Sequence, residues 1–217
     1  MRRVLWPLDA DTVILESIVT TVGSDGRVNI APMGPVVDGP EFQQFLLRPF
    51  ESSQTFANLM SSRRAVVHVT DDASLFARAA VGKIQSEGLV QSVDDREQFF
   101  RLNDCHRWFA IDVVSVSDDR PRAEMVCKVV SRGVVRPFFG FNRAKHAIIE
   151  AAILATRTHL LSESEIQSQL TALGPLVEKT ASAADRDVFA KLVDEIHQRM
   201  GNQSAESVVK PSAGVRR

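Results

Sequence analysis

The apolar pattern of the chain changes once, near residue 140, and this change limits the folds that the chain can adopt. Before it, runs of β-branched and apolar residues alternate with turn residues, which is typical of strands. After it, residues 142–200 carry apolar residues at a spacing of about 3.6, which predicts amphipathic helices. Short strands followed by a run of helices predict an α+β fold. We expect a small antiparallel β-barrel with a C-terminal unit of three helices.

The predicted strands lie in the first two-thirds of the chain. They are expected at residues 12–22, 28–37, 42–48 and 65–72, and in a hairpin of residues 108–117 and 122–132 with a turn at 118–121. Pro32 and Pro35 cannot donate ladder hydrogen bonds, so their strand must lie at an edge or break there.

Short helices are expected between the strands and longer ones after them. The predicted ranges are Ser52 to about Ser61, 73–80 behind a cap at Asp71 or Asp72, 94–103, 143–161, 162–173 and 184–200. Ser162 and Glu165 have the spacing of a capping box, and Gly174 and Pro175 are expected to end that helix. We predict a barrel domain at 1–138, a helical unit at 139–202 and a disordered tail at 203–217.

The composition argues against several classes of partner. Lys and Arg total 26 against 27 Asp and Glu, so the net charge of -1 does not indicate a nucleic-acid-binding protein. No apolar run approaches the ~20 residues of a membrane helix. Cys105 and Cys127 form no CxxC pair and favour a reduced, cytoplasmic protein over a disulfide. The histidines are scattered, so no metal site is expected, and no P-loop, GxGxxG or GxSxG motif is present.

The stretch "RPFESSQTFANL" places a cation and three hydroxyls at the start of a predicted helix. A helix begins with unpaired N–H groups and a partial positive charge. Arg48 lies just upstream, and its planar fork suits phosphate oxygens, while Ser52, Ser53 and Thr55 add hydroxyl donors. These residues are typical of a phosphate cradle. The alternative is ordinary capping by Ser52, with Arg48 as a solvated strand end.

The stretch "FGFNRAKHAIIE" gives a second indication of an anion. Asn142 is a suitable N-cap, and Arg143, Lys145 and His146 then crowd the first turn, where cations oppose the helix dipole. An anion that neutralises these cations would explain the arrangement. The alternative is a surface helix in which Glu150 and general helix propensity offset the cost.

The stretch "GRVNIAPMGP" predicts a flat surface on a strand. Alternation puts odd-numbered residues 27–31 on one face and even-numbered residues 28–32 on the other. The small surface at Ala31 and Pro32, with unpaired backbone beside it, would let a planar ring lie against the main chain. The alternative is an edge strand that proline protects from pairing.

Three segments in this order, "GRVNIAPMG", "LLRPFESSQTFANL" and "AVVHVTDD", resemble the flavin reductase-like FMN-binding split barrels. With the added "FNRAKHAIIEAAILATRTHLL", the chain is similar to an uncharacterised archaeal and bacterial family of that superfamily, a domain of unknown function. The resemblance covers about residues 10–200. It implies a split β-barrel, and homodimers that bind FMN near the subunit interface.

The resemblance also implies roles for individual residues. The FMN phosphate would be held at the start of the first helix by Arg48, Ser52, Ser53 and Thr55, and Pro49 is also expected to contact the cofactor. The flavin ring would lie along Asn29, Ile30, Ala31, Pro32 and Met33. Three further contacts are expected, from Asn58 to the ribityl chain, from His68 on the pyrimidine side and from Arg143 to a second phosphate or the substrate. No catalytic residue can be named.

Three functions remain open at this level. The first is an FMN-dependent oxidoreductase or flavin reductase-like protein that uses NADH or NADPH. The second is a non-catalytic module that binds a flavin or a pterin-like ligand. The third is a partner-binding protein that has lost its ligand. Flavins carry the redox chemistry themselves, so the resemblance does not choose among these functions.

Overall fold

The computed structural model describes residues 12–37, 39, 41–82, 84–117 and 123–209 of the 217-residue chain, with side chains up to residue 202. These residues form two compact units. The first comprises the described residues of Met1–Asp71 and Ile84–Phe139, and the second those of Asp72–Lys83 and Gly140–Arg217. The predicted turn at 118–121 lies outside the described residues, as does the end of the chain from residue 210.

The first unit is a β structure with one helix. Its strands are β1 (Val13–Ile14), β2 (Ser17–Val22), β3 (Val28–Met33), β4 (Val36–Val37), β5 (Gln44–Leu47), β6 (Arg64–Val69), β7 (Val90–Ser92), β8 (Phe100–Leu102), β9 (Arg107–Ser117) and β10 (Glu124–Val134). The helix α1 (Gln54–Ser62) joins β5 to β6. Eight strands form one antiparallel sheet in the order β1-β4-β5-β10-β9-β6-β2-β3, and β7 pairs with β8 separately.

The large sheet curls around a single hydrophobic core. Phe45, Phe109 and Met125 come from neighbouring strands of the sheet and are fully buried in this core. Val19, near the other end of the sheet, and Leu59 of α1 belong to the same core. The sheet is therefore an incompletely closed antiparallel barrel, and the predicted α+β fold with a split barrel is confirmed.

The proline-containing strand lies where the sequence requires it. β3 is the last strand of the sheet, so Pro32 lies on an edge strand, and β3 ends at Met33 before Pro35. The predicted break and the predicted edge position are both present. The run at residues 12–22, predicted as one strand, is divided into β1 and β2, which pair with different neighbours.

The helix predicted at 94–103 is wrong. The Asp94 carboxylate accepts the backbone N–H groups of Gln98 and Phe99, both at 2.9 Å. A side chain that bonds nearby backbone in this way competes with helix formation. The segment forms a turn and then β8, which pairs with β7.

The second unit is helical. It contains α2 (Ala73–Ala80), α3 (Arg143–Thr156), α4 (Glu163–Thr180) and α5 (Ala183–Val209). Small residues such as Ala77 and Ala151 lie in its core beside Ile148 and Ile196, which lets the helices approach closely. The predicted caps are confirmed at Asp72, Asn142 and Ser162, the last as a capping box with Glu165. None of the helices in the described ranges is long and apolar enough to cross a membrane.

Three predicted helix boundaries are wrong. Gly174 and Pro175 do not end α4, which continues to Thr180 because Val177 and neighbouring apolar side chains pack against Ala144 and Ala147 of α3. This packing outweighs the one helical N–H that proline removes. α3 ends at Thr156 instead of residue 161, and α5 runs to Val209 instead of ending near residue 200.

Candidate functional site

The start of α1 is capped by Ser53, so the alternative that placed the cap at Ser52 is wrong. The Ser53 hydroxyl oxygen accepts the backbone N–H of Phe56 at 3.1 Å. Its own hydroxyl donates to the carbonyl oxygen of Phe50 at 2.7 Å. Because both functions of the Ser53 hydroxyl are used inside the protein, its contribution to a ligand site is structural. Ser52, one residue earlier, is exposed.

Arg48 lies just after β5, four residues before Ser52, and its side chain is half-buried, while Pro49 beside it is buried. Within the described ranges, Arg48 forms no ion pair and no side-chain hydrogen bond. A guanidinium without a carboxylate partner keeps all its donors for an external anion. Arg48 is therefore better suited to bind a phosphate than an arginine that is already paired with a carboxylate of the protein.

A polar cluster joins β3 to α1. The side-chain amide of Asn29 donates to the Thr55 hydroxyl at 3.0 Å and lies 3.5 Å from the Thr21 hydroxyl. The amide of Asn58 donates to the same Thr21 oxygen at 3.0 Å, and the Asn58 carbonyl oxygen accepts from Gln54 at 2.7 Å. The structure thus brings together Asn29, Thr55 and Asn58, three residues that the sequence assigned to one site.

Thr21 and Gln54 were missed by the sequence analysis. Thr21 is 1% exposed and lies opposite Asn29 in the β2–β3 pair. The hairpin turn at Asp25 and Gly26 could have identified Thr21, because counting back from that turn places Thr21 across from Asn29. Gln54 gives no comparable signal, since it sits at the exposed start of a helix.

The expected flat surface of β3 is divided between two faces. Asn29 points to α1 and Met33 packs against the barrel core, so by alternation Ala31 lies on that same face. Ile30 and Pro32 point the other way, and Ile30 is buried. Ala31, Pro32 and Met33 are each half-buried, so this part of the edge strand stays partly accessible.

His68 is not part of this group. It is fully buried in β6, its Nδ1 lies 2.9 Å from the carbonyl oxygen of Ile18, and its Nε2 accepts the backbone N–H of Leu102 at 3.0 Å. Nδ1 must therefore carry the hydrogen and donate to Ile18. Burial lowers the pKa of His68 to about 4, outweighing the opposing effect of the Ile18 hydrogen bond. Both ring nitrogens are used within the fold, so His68 has a structural role.

Arg143 belongs to the second unit and is exposed at the first position of α3. The Asn142 side chain accepts the N–H groups of Ala144 and Lys145 at 2.9 and 3.2 Å, and Thr180 also accepts from Ala144. These donors at the helix start are already bonded. The surface-helix alternative therefore gains support over a second anion site.

Two cavities in the described residues do not contain the expected cofactor residues. One, of about 420 Å³, lies between α2 and α5 in the second unit. The other, of about 220 Å³, lies in the first unit beside Gly23, Ser62 and Arg64. In the part of the chain that the structure describes, no cluster of three or more His, Cys, Asp or Glu side chains could hold a metal ion.

The curled antiparallel sheet with α1 against its core defines a split β-barrel, here joined to a helical unit. Two sequence models of one family, described as protein of unknown function DUF447, match the chain, its N-terminal domain at residues 15–136 and its C-terminal part at residues 142–194. The chain belongs to this family. No curated protein sequence matches the chain.

Several solved structures are similar to the chain. An FMN-bound protein of the same family from Methanosarcina mazei is 21% identical, with a TM-score of 0.73 over 84% of this chain and 94% of that one. Flavoredoxin from Methanosarcina acetivorans is 10% identical, with a TM-score of 0.48 over 64% of this chain and 81% of that one. A flavin reductase domain protein from Arthrobacter is 19% identical, with a TM-score of 0.48 over 56% and 78%.

Proposed function

We propose that this chain binds FMN, with the phosphate at the start of α1 and the flavin ring along β3. The observation that carries the proposal is the set of donors around the first turn of α1. It combines the unpaired cation of Arg48, the helix start and the Thr55 hydroxyl held by Asn29. The FMN-bound family member from Methanosarcina mazei supports the same ligand.

The donor set suits a phosphate monoester. Gln54 and Thr55 occupy the first two positions of α1, where backbone N–H groups have no partner within a helix. Ser53 accepts only the N–H of Phe56, so the cap leaves those two groups to another acceptor. Arg48 supplies full positive charge, and Ser52 is an exposed hydroxyl in the same segment. A dianionic phosphate matches this combination of charge and donors.

The edge strand suits the rest of the cofactor. The half-buried segment of Ala31, Pro32 and Met33 presents small side chains and backbone on which a flat ring can lie. Asn58 lies one turn into α1, in the cluster with Asn29, and the second N–H of its amide nitrogen is our candidate for a contact to the ribityl chain. FMN, when bound, supplies the redox chemistry, and these residues fix its position.

We further propose that the protein is an FMN-dependent oxidoreductase, or a flavin reductase-like protein, that takes electrons from NADH or NADPH. The competing candidate is a non-catalytic module for a flavin or a pterin-like ligand. One observation favours this second candidate: His68, the only histidine expected at the site, is buried and neutral. Turnover with either nicotinamide donor supports the first candidate, and a bound flavin that neither donor reduces supports the second.

The test of FMN binding is a fluorescence-quenching titration of the purified protein. Arg48→Ala should weaken binding by about 1.5–3 kcal/mol, the value of a hydrogen bond to a charged group. Arg96→Ala removes an exposed arginine from the loop between β7 and β8 and should leave the affinity unchanged. A wild-type protein that does not quench FMN refutes the proposal and points to a partner-binding protein without the ligand.

We propose a cytoplasmic homodimer. Phe138 and Phe139 follow β10 and are 55% and 81% exposed, which is a large apolar surface for one subunit to leave in water. Cys105 and Cys127 are free and buried, in keeping with a reducing compartment. Light scattering on the protein as it elutes from a size-exclusion column should give twice the mass of one chain. Phe139→Ser should shift the measured mass toward that of the monomer. A monomeric wild type contradicts the dimer.

A further inference from the structure

We propose that Asn29 is a positioning residue that orients the Thr55 hydroxyl toward the FMN phosphate and does not itself bind the flavin ring. This inference rests on the proposed function and assigns Asn29 a different role from the one implied by the family resemblance. Its consequence is that Asn29 contributes to the preference for a flavin that carries a phosphate over one that does not.

The role of Asn29 depends on the hydrogen bonds of the Thr55 hydroxyl. Thr55 is 3% exposed and sits in the first turn of α1. A hydroxyl carries one hydrogen and two acceptor positions. The Asn29 amide occupies one acceptor position from 3.0 Å, so the hydroxyl hydrogen must point elsewhere. No described residue accepts that hydrogen.

A buried donor without an acceptor is costly, so a ligand atom is the natural acceptor. The backbone N–H groups at the same helix start also lack intrahelical partners. A phosphate oxygen near the first turn of α1 would accept from the hydroxyl and from the helix start together. The flavin ring has no comparable oxyanion to offer.

The amide of Asn29 is held in the orientation that this arrangement needs. Thr21 is buried and its oxygen accepts from both Asn29 and Asn58, at 3.5 and 3.0 Å. Gln54 of α1 fixes the Asn58 amide in turn, at 2.7 Å. The network connects β2, β3 and α1, so the Asn29 nitrogen is directed to the two threonine hydroxyls. It is thereby committed to the protein and not to a ligand.

The experiment compares FMN with riboflavin, which has the same ring and ribityl chain without the phosphate. Dissociation constants are measured by fluorescence quenching for wild type, Asn29→Ala, Thr55→Val and the double variant. Thr55→Val and Asn29→Ala should each weaken FMN binding roughly tenfold, which corresponds to ~1.4 kcal/mol, and change riboflavin binding less than twofold. The double variant should bind FMN no worse than Thr55→Val alone, because Asn29 acts through the hydroxyl.

Three further variants keep the result interpretable. Asn29→Leu fills a similar volume without polar atoms and should reproduce the selective loss of FMN, which covers a failure of Asn29→Ala to fold. Thr55→Ser keeps the hydroxyl and should keep the wild-type preference for FMN. Asn103→Ala removes an exposed amide that bonds Gly88 away from α1, and should change neither affinity. Folding of each variant is followed by tryptophan fluorescence.

Two results overturn the inference. Equal losses of FMN and riboflavin affinity in Asn29→Ala would place the amide on the ring. A full-size effect of Asn29→Ala in the Thr55→Val background would make the two residues independent. A wild-type protein that binds neither flavin would instead refute the proposed function, so the two failures are distinguishable.

Discussion

Replacing His68 with glutamine is expected to remove a pH dependence of stability from the first unit. His68 is fully buried between the Ile18 carbonyl and the Leu102 N–H, and burial lowers its pKa from 6.5 to about 4. The imidazole is therefore neutral in the folded protein at every pH above that value. In the unfolded chain it titrates normally.

The sign follows from which state binds the proton. Between pH 6.5 and 4 the unfolded chain takes up a proton on His68 that the folded protein does not. The contribution of His68 to the free energy of unfolding is therefore fully present above pH 6.5, and it is lost as the pH falls toward 4. Over the whole window the loss is about 3 kcal/mol, of which roughly 1 kcal/mol is already lost at about pH 5.5.

The assay is urea unfolding at a series of pH values, followed by Trp108 fluorescence in a Trp6→Phe background, because the chain has a second tryptophan. Trp108 lies opposite His68 in the β6–β9 pair, so it reports on the unfolding of this unit. His68→Gln should be less stable at pH 7, because glutamine does not reproduce both hydrogen bonds, yet its stability should fall less steeply toward pH 4.5. His197→Gln changes an exposed histidine and should keep the wild-type slope. Parallel curves for wild type and His68→Gln would refute the reasoning.

Three other substitutions, the first with a matched control, test separate parts of the fold by chemical unfolding. Ser53→Ala should cost about 1 kcal/mol as a lost N-cap, whereas Ser52→Ala should cost almost nothing; equal losses would contradict the assignment of the cap. Gly133→Ala should destabilise by about 1–3 kcal/mol, because the new Cβ would lie within 3 Å of the Trp108 ring; unchanged stability and Trp fluorescence would show that the ring moves freely. Ile148→Ala should cost about 2–5 kcal/mol in the helical core, and a loss below 1 kcal/mol would contradict its full burial.

The sequence predicted those parts of the fold that depend on local pattern. Pro32 has no N–H for a ladder, and that property alone placed its strand at an edge or a break. The capping box of Ser162 and Glu165 was readable because both partners lie within one helical turn. Pro175 was misread because the contacts that keep α4 helical come from α3, which no local pattern contains. Residues 94–103 were misread because the Asp94 side chain takes the backbone donors that a helix would need.

In the candidate site, too, some features could be predicted from local sequence, whereas others depend on contacts between distant residues. The composition around Arg48 and Thr55 predicted an anion at the start of α1, because the N-terminus of a helix attracts anions. The contact between Asn29 and Thr55 joins residues that are 26 apart in sequence, so it depends on the hairpin register and on the packing of α1. Arg143 is a case in which the structure favours the alternative interpretation, a surface helix. Its first-turn position suggested an anion, but side chains of Asn142 and Thr180 already accept the donors there.

In the proposed site the residues have the role of binding and orienting FMN, and none of them exchanges a proton near neutral pH. Arg48 is permanently charged, while Asn29, Thr55 and Asn58 are neutral over the physiological range. The chain contains no tyrosine, and the buried His68 is neutral with both nitrogens occupied. Any protons that accompany flavin reduction must therefore come from solvent, from the electron donor or from residues outside this group. Substitutions at these positions should consequently act through flavin affinity and orientation, which is why the discriminating measurements are binding constants for FMN and riboflavin.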